Sequence, residues 1–319
     1  MDKIRCIGIV TVTYNSAEVL PEFLQTVFSQ TFGEFLLYVV DNASRDESVA
    51  LISQCIDPRI RVIANTGNLG VAEGNNQGIR AALADGCDAV LLLNNDTILA
   101  PDLLEQLREG FEHHGCDLTT GKMYFDQPAN QIWCAGGHFV PLLGYLTRHD
   151  GEGQTDCGQF DEPRRVTYTP TCCLMIRSSV FERTGFMDSK YFVYHDDVDF
   201  LYRCMKNNIS MWYVPGARLW HKVSSLTGAT SDFLSRYAIR NRIYFVRKYL
   251  PNWQAHSWYW FEQARSTLAF LVRHIERSKW LLRLSAAKEG WRMIIDRDAP
   301  SASPGKSTVG VPVSWKSRP

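Results

Sequence analysis

The sequence predicts an α/β fold in which a parallel β-sheet, covered by helices on both faces, occupies the first 115 residues. Three observations support this prediction. Four almost entirely aliphatic segments recur along this stretch, amphipathic segments separate them, and each aliphatic segment ends in Asn or Asp. Strands that are apolar on both faces must be covered on both sides, which is typical of parallel sheets.

Taken in order, the predicted strands cover residues 6–14, 35–41, 59–64 and 88–96. The predicted helices run from Ser16 to Gln30, from Ser44 to Cys55, over 70–84, and over 101–113 with Pro101 in the first turn. Residues 116–250 mix short strands with helices, and ISMWYVPGARLWH predicts two strands around a Pro-Gly turn. From Asp232 onward the pattern is mostly helical.

Composition excludes several classes of protein. The formal net charge of the 319-residue chain is zero, so no overall basicity indicates a nucleic-acid partner. The nine cysteines include no CxxC pair, and no secretory signal opens the chain; both features favour reduced thiols and a cytoplasmic location. No apolar run reaches the length of a membrane-spanning helix.

The C-terminal part is basic, with 13 Lys or Arg against 4 Asp or Glu over residues 236–297. Ala264, Leu268, Leu271, Val272 and Ile275 share one face of a predicted helix. Two environments fit this basic amphipathic pattern: an anionic bilayer surface, with peripheral attachment, or packing against the rest of the chain. We expect three regions: a catalytic domain over 1–250, basic amphipathic helices over 251–298, and a disordered Ser/Pro-rich tail over 299–319.

Polar residues follow all four predicted strands. They are Thr13-Tyr14-Asn15, Asp41-Asn42, Asn65 to Asn68, and Asn94-Asn95-Asp96. Ligands of open α/β sheets bind outside the carboxyl ends of the strands, so these residues predict a polar site along one rim. Each of them is also an ordinary turn residue when taken alone.

Asp96 and His221 are candidate metal ligands. One carboxylate and one imidazole make a poor cage by themselves, but they suffice for Mg²⁺ or Mn²⁺ if a diphosphate supplies further oxygens. The simpler alternatives are a turn carboxylate and a hydrogen-bonded histidine.

Three aspartates crowd the segment YFVYHDDVDFLYR: Asp196, Asp197 and Asp199. An N-cap and the first turn of a helix can use one or two of them, because carboxylates complement the free N–H groups and the helix dipole. The third calls for a different role.

The order and spacing of six motifs resemble family 2 glycosyltransferases, particularly the bacterial rhamnosyltransferase-like branch. They are TVTYN, VVDNASRDES, NTGNLGVAEGNNQGI, LLLNNDT, GFMDSKYFVYHDDVDFLYR and WHKVSS. The resemblance covers about residues 5–250. It implies a GT-A type fold and inverting, metal-dependent transfer from a nucleotide-diphosphate sugar, with dTDP-L-rhamnose as the expected donor and a saccharide or lipid-linked saccharide as acceptor.

The resemblance also implies roles for particular residues. Asp197 would be the general base, Asp196 would position the acceptor, and Asp199 would belong to the helix. Asp96, with His221, would hold the metal. The nucleotide contacts would come from Asp41 on the pyrimidine, from Thr13 and Tyr14 along the base and ribose, and from Asn15, Asn68, Asn95 and Arg240, the last on the diphosphate.

Two departures from the family pattern stand out: Asn94 replaces the usual first carboxylate of the metal motif, and His195-Asp196 replaces the common Tyr-Glu. Rival classes are also open. A dinucleotide-dependent dehydrogenase would place a Gly-rich turn straight after the first strand, which TVTYNS lacks. A metal-dependent phosphoesterase would use the same acids. A catalytically inactive binding protein would lack some of them.

Overall fold

The computed structural model describes residues 3–222 and 231–295. Its first part alternates strands and helices, as the sequence predicts. The elements are β1 (Ile7–Thr13), α1 (Leu20–Phe28), β2 (Phe35–Asp41), α2 (Ser48–Gln54), β3 (Ile60–Ala64), α3 (Gly70–Ala84), β4 (Ala89–Leu93), β5 (Thr97–Leu99) and α4 (Leu103–His114). β1 pairs in parallel with β2 and β4, and β2 pairs in parallel with β3. All four carboxyl ends therefore open on one rim.

The second part extends the same sheet with strands of mixed direction. Its elements are β6 (Leu118–Phe125), β7 (Ile132–Cys134), β8 (Gly137–Val140), β9 (Leu146–His149), β10 (Arg164–Arg165), β11 (Cys173–Arg177), α5 (Val180–Thr184), α6 (Asp196–Lys206) and β12 (Met211–His221). Short 3₁₀ helices cover Pro141–Leu143 and Ser189–Tyr191. The main order of the large sheet is β10-β12-β6-β11-β4-β1-β2-β3, and β8 and β9 form a separate hairpin.

Segment 209–221 differs from its prediction, because β12 is one strand rather than two around a turn. Val214 pairs with Gly121 and Arg218 pairs with Lys122, so three residues bulge out between them. A Cβ on Gly121 would lie 2.3 Å from the carbonyl oxygen of Ala217. The bulge thus fits against β6 only because residue 121 is glycine. The Pro-Gly pair lies within the bulge rather than in a turn between two strands.

Two helix starts also differ from the predictions. α1 begins at Leu20 rather than after Ser16 and contains Pro21 in its first turn, the position at which proline is compatible with a helix. α2 begins at Ser48 rather than near Ser44, because the backbone of Ser44 turns back to donate to Asp41 (3.1 Å).

The C-terminal part contains α7 (Asp232–Tyr249), α8 (Asn252–Leu271) and α9 (Arg277–Arg292). α9 packs tightly on α7: a Cβ on Gly290 would lie 2.1 Å from the carbonyl oxygen of Arg240. α8 leaves the predicted apolar face uncovered, with Leu268 61% and Leu271 69% exposed. Over residues 3–222 and 231–295, no helix is long and apolar enough to cross a bilayer. The predicted tail over 299–319 lies outside the described residues. The predicted domain boundary at residue 250 stays a prediction.

Candidate active site

The end of β2 brings a carboxylate to the rim. Asp41 is buried, and its Oδ2 accepts a hydrogen bond from the backbone of Ser44 (3.1 Å). Its Oδ1 is buried with no hydrogen-bond partner within the protein. A buried acceptor left unpaired is destabilising, so this oxygen fits an external N–H donor such as that of a pyrimidine ring.

The neighbouring residues of the rim shape this region. Thr13 is buried and accepts a hydrogen bond from Nδ2 of Asn95 (3.2 Å), which joins the ends of β1 and β4. Tyr14 is exposed and its ring is available to a ligand. Asn15 and Asn68 use their Oδ1 atoms locally, accepting from the backbone N–H of Arg45 (2.8 Å) and of Gly70 (2.9 Å).

Asp96 and His221 form a close pair at the same rim. Nε2 of His221 lies 3.1 Å from Oδ1 of Asp96, and both residues are buried. The pairing of β5 with β12 places Thr97 opposite His221, and the backbone N–H of Lys222 donates to the carbonyl of Asp96 (2.9 Å). The pair is therefore positioned by a backbone ladder.

This pair suits two coordination positions of a divalent cation. Oδ1 of Asp96 makes no hydrogen bond in the protein, and Nε2 of His221 lies 3.1 Å from it; an oxygen and a nitrogen at this separation can share one ion. No group of three His, Cys, Asp or Glu residues able to hold a metal occurs in the described part of the chain. Further ligands would have to come from a substrate, for which diphosphate oxygens are suitable.

The three aspartates of α6 have three different environments. Asp199 is fully buried and accepts hydrogen bonds from Arg203 (2.9 Å), Lys248 (2.7 Å) and Tyr249 (2.8 Å). Although burial alone would raise the pKa of Asp199, these cations hold it below its ordinary value. This residue joins α6 to α7.

Asp196 and Asp197 face different surroundings although they are adjacent. Asp196 is buried, and its Oδ2 has no hydrogen-bond partner. Asp197 is half-buried, and Oδ2 accepts the hydroxyl of Tyr168 (2.7 Å) while Oδ1 accepts the backbone N–H of Val198 (2.7 Å). Burial, followed by repulsion from Asp197, raises the pKa of Asp196 to about 8. Burial also raises the pKa of Asp197, but its two hydrogen bonds oppose the change. Of the pair, Asp197 is therefore the one that ionises more readily.

An aromatic wall that no sequence pattern singles out connects the metal pair to Asp197. The ring of Trp133 lies 4.5 Å from that of His221 and 5.1 Å from that of His149. His149 stacks on Tyr168 with ring centres 5.8 Å apart, and Tyr168 donates to Asp197. Burial lowers the pKa of His149, which favours its neutral form. Flat rings beside a carboxylate suit the apolar faces of a sugar.

The wall could not be found from the sequence because its members come from three separated segments with no spacing pattern. Asp96 and Asp197 both act on buried Cys172. Burial raises the pKa of its thiol, and the charges of these two carboxylates add to that rise.

Arg240 has a different setting from the other predicted site residues. It is buried on α7, and its Nη2 donates to the backbone carbonyls of Lys190 and Tyr191, the latter at 3.1 Å. The structure thus places this guanidinium against the segment that leads into Asp197. Its assignment to a diphosphate stays a prediction.

The fold is of the GT-A type. The chain superposes on GalNAc-T7, solved with UDP, GalNAc and Mn²⁺, with a TM-score of 0.62, 12% identity and coverage of 89% of this chain and 55% of that one. It also superposes on residues 1–349 of S. aureus TarS in complex with UDP, with a TM-score of 0.56, 16% identity and coverage of 91% and 81%. The GT-A fold class predicted from the sequence is confirmed.

Residues 8–185 match the model of glycosyl transferase family 2, so the chain belongs to that family. It is 26% identical over 208 residues to a low-salt glycan biosynthesis hexosyltransferase of Haloferax volcanii, covering 64% of this chain and 63% of that protein. It is 22% identical over 204 residues to a dTDP-rhamnosyl transferase of Shigella flexneri, covering 60% and 64%.

An N-acetylglucosaminyl-diphospho-decaprenol L-rhamnosyltransferase of Mycobacterium tuberculosis is 24% identical over 277 residues, covering 82% of this chain and 88% of that protein. The matches to the Haloferax and Shigella proteins span less than two thirds of their length. The resemblance to rhamnosyltransferases stated from the motifs is confirmed at the level of the family and its relatives.

Proposed function

We propose that the chain transfers a sugar from a nucleotide-diphosphate donor to a hydroxyl of a saccharide acceptor, with inversion at the anomeric carbon. The observation that carries the proposal is the placement of Asp197 on the same rim as the Asp96–His221 pair, with a continuous wall of rings between them. This arrangement puts a proton acceptor beside a site for a leaving diphosphate.

Asp197 acts as the general base. The acceptor oxygen attacks the anomeric carbon while Oδ1 or Oδ2 of Asp197 takes its proton, and the bond from that carbon to the diphosphate oxygen breaks with its electron pair. The raised pKa of Asp197 improves proton uptake, and the hydrogen bond from Tyr168 fixes the carboxylate. Asp196, whose raised pKa favours the protonated form, holds the acceptor as a neutral hydrogen-bonding group.

The donor lies along the carboxyl ends of the parallel strands. The unpaired Oδ1 of Asp41 receives the pyrimidine N–H, Tyr14 and Thr13 border the base and ribose, and the loop with Asn15 and Asn68 encloses them. Asn95 fixes the position of Thr13. Asp96 and His221 would hold Mg²⁺ or Mn²⁺ together with the diphosphate, and the ion would supply positive charge to the leaving group.

The donor class follows from the relatives. The Shigella relative is named for dTDP-rhamnose and the mycobacterial one for L-rhamnose transfer to a diphospho-decaprenol-linked sugar. We accordingly take dTDP-L-rhamnose as the donor and a lipid-linked or polymeric saccharide as the acceptor, in cell-surface polysaccharide synthesis.

An acceptor carried on a lipid places the chain at a membrane surface, and a set of exposed apolar side chains, called the patch below, fits this. The patch comprises Leu142 (97% exposed), Phe261, Leu268, Leu271 and Val272. Its two parts meet where Gly144 packs on Trp258 of α8 and Trp258 contacts Phe261. Residues 252–295 carry seven Lys or Arg against three Glu, which favours anionic lipids. We propose peripheral attachment to the cytoplasmic face of the membrane.

The first test is thermal stabilisation of the purified chain by a panel of nucleotide sugars, each with and without Mn²⁺. A ligand that binds the folded state raises the melting temperature by mass action. We expect a metal-dependent rise with one pyrimidine-diphosphate sugar, followed by its transfer to an acceptor. Hydrolysis of the sugar at the same rate without an acceptor would instead identify a phosphoesterase, and no stabilisation by any nucleotide sugar would overturn the proposal.

A further inference from the structure

The segment that precedes Asp197 has an unusual backbone. Phe192, Tyr194 and His195 have φ angles of 65°, 60° and 65°. Residues other than glycine rarely adopt this left-handed region, because it strains the backbone of any residue that carries a Cβ. The carbonyl of His195 accepts the backbone N–H of Asp199 (2.9 Å), so the path of residues 192–195 fixes where α6 begins. A conformation of this kind persists only if its surroundings enforce it.

One side chain of α7 contacts most of this segment. Asn241 is fully buried, and its Nδ2 lies 2.9 Å from the carbonyl oxygen of Tyr191, 2.7 Å from that of Val193 and 2.8 Å from that of Tyr194. A single amide group thus serves three carbonyls that point towards one spot. Replacing this amide would leave buried carbonyl acceptors without a donor, which destabilises the path of the segment.

The orientation of that amide is itself fixed. Oδ1 of Asn241 accepts a hydrogen bond from Nε of Arg240 (2.8 Å), and Arg240 also donates to the carbonyls of Lys190 and Tyr191. Glu289 of α9 lies 3.5 Å from Nη1 of Arg240. The amide nitrogen of Asn241 is thereby turned towards the segment.

The opposite side of the segment rests on α3. The backbone N–H of Val71 donates to the carbonyl of Phe192 (2.6 Å), and a Cβ on Gly70 would lie 2.4 Å from that same oxygen. The strained residues are therefore held between the start of α3 and the middle of α7.

We infer that Asn241 is a positioning residue for the general base, with Arg240 orienting its amide. The inference rests on the proposed role of Asp197. Asn241 holds residues 191–194 in the path that starts α6 with Asp197 beside Tyr168, and the base is misplaced without it. A misplacement of about 1 Å costs on the order of 100-fold in turnover.

The test compares Asn241→Ala and the milder Arg240→Gln with Ile243→Ala. Ile243 lies on the same helix but packs on Ala286 and Ala287 of α9, so its truncation destabilises α7 without removing a bond to the segment. The measurements are kcat and its pH profile at saturating donor, the affinity for the nucleoside diphosphate, and the melting temperature, all at a temperature where each variant is folded.

We expect Asn241→Ala to lower kcat by about 100-fold, with Arg240→Gln intermediate. Both should move the acid limb of the kcat profile to higher pH, because Asp197 leaves the hydroxyl of Tyr168, and Asn241→Ala should retain its affinity for the nucleoside diphosphate. Ile243→Ala should lower only the melting temperature. Equal losses of kcat in all three variants, or an Asn241→Ala enzyme with normal kcat and pH profile, would overturn the inference. Transfer that survives Asp197→Asn would instead refute the proposed function.

Discussion

Tyr168 donates its hydroxyl hydrogen to Oδ2 of Asp197 over 2.7 Å. The tyrosine is itself held by the stack with His149, so the carboxylate has a fixed direction. This relationship separates Asp197 from Asp196, which lacks such a donor and is the more buried of the two. The two adjacent acids should therefore respond differently to pH and to substitution.

Tyr168→Phe should shift the pH dependence of transfer. The hydrogen bond from Tyr168 lowers the pKa of Asp197, so its loss raises that pKa further. The ionised base is needed for transfer, so activity will fall most at acidic pH and recover as the pH rises. The measurement is kcat/KM for the acceptor across pH 5–9; an unchanged acid limb would contradict this role of Tyr168.

Asp197→Asn should abolish transfer while nucleotide binding remains almost normal. The amide has the size of the carboxylate but cannot take a proton. Isothermal titration with the nucleoside diphosphate and Mn²⁺ provides the control. Loss of that binding would move Asp197 from catalysis to the metal or to the structure.

Asp96→Asn and His221→Ala should each weaken diphosphate binding in the presence of Mn²⁺ and leave metal-free binding nearly unchanged. Removing one of two protein ligands leaves the ion too few to be held. Asp41→Asn is the matched control, because it should weaken binding of the nucleotide with and without the metal. Equal responses of all three variants would argue against a metal at Asp96.

Asp196→Asn and Asp199→Asn should change stability in opposite directions. Asp196 has a raised pKa of about 8, so the folded state loses stability as the pH rises from the ordinary carboxyl pKa towards 8, and the neutral amide should remove this loss. Asp199 has a lowered pKa, so it stabilises the fold above its ordinary pKa and that stability disappears as the pH falls.

At pH 8 we therefore expect Asp196→Asn to be at least as stable as the parent. Asp199→Asn should lose about 3–5 kcal/mol, because buried Arg203 loses its carboxylate partner and Lys248 keeps only Asp188. Urea unfolding at pH 5 and pH 8 measures both effects. A large loss in Asp196→Asn at pH 8 would contradict the raised pKa.

Phe261→Ser with Leu268→Ser should reduce binding to vesicles that contain anionic lipid. Burying one such side chain contributes about 1.5–3 kcal/mol, so each substitution should weaken partitioning about tenfold. Ile56→Ser, at a residue that is 99% exposed and distant in sequence from the patch, is the control. Point variants are preferable to truncation after Leu250, because α9 packs on α7. Unchanged partitioning would exclude the patch as a membrane contact.

The strands of the first half could be predicted closely, because continuous aliphatic segments of β1, β2 and β4 have no stable alternative to a covered sheet. The predicted starts of α1 and α2 are wrong, because they rest on Ser16 and Ser44 as helix caps. A serine that caps a helix cannot be told from a turn residue until its hydrogen bond is known. The Pro-Gly pair at 215–216 similarly fits a turn or a bulge, and only the neighbour Gly121 decides between them.

Within the site, the acids Asp41, Asp96 and Asp197 could be proposed because motif spacing marks them. Trp133, His149 and Tyr168 could not, because contacts between distant segments leave no periodic signal. The role of Arg240 stays a prediction: its cation suggests a phosphate partner, and in the structure Nη2 donates to two backbone carbonyls.

The ladder between β5 and β12 ties the Asp96–His221 pair to the register of the sheet. Since side chains alternate between the faces of a strand, a slip of one residue in either strand would turn His221 away from Asp96. A deletion inside Thr97–Leu99 or among the last residues of β12 would cause such a slip. Loops that join other strands can change in length without shifting this register. The geometry of the pair is therefore set by the sheet itself.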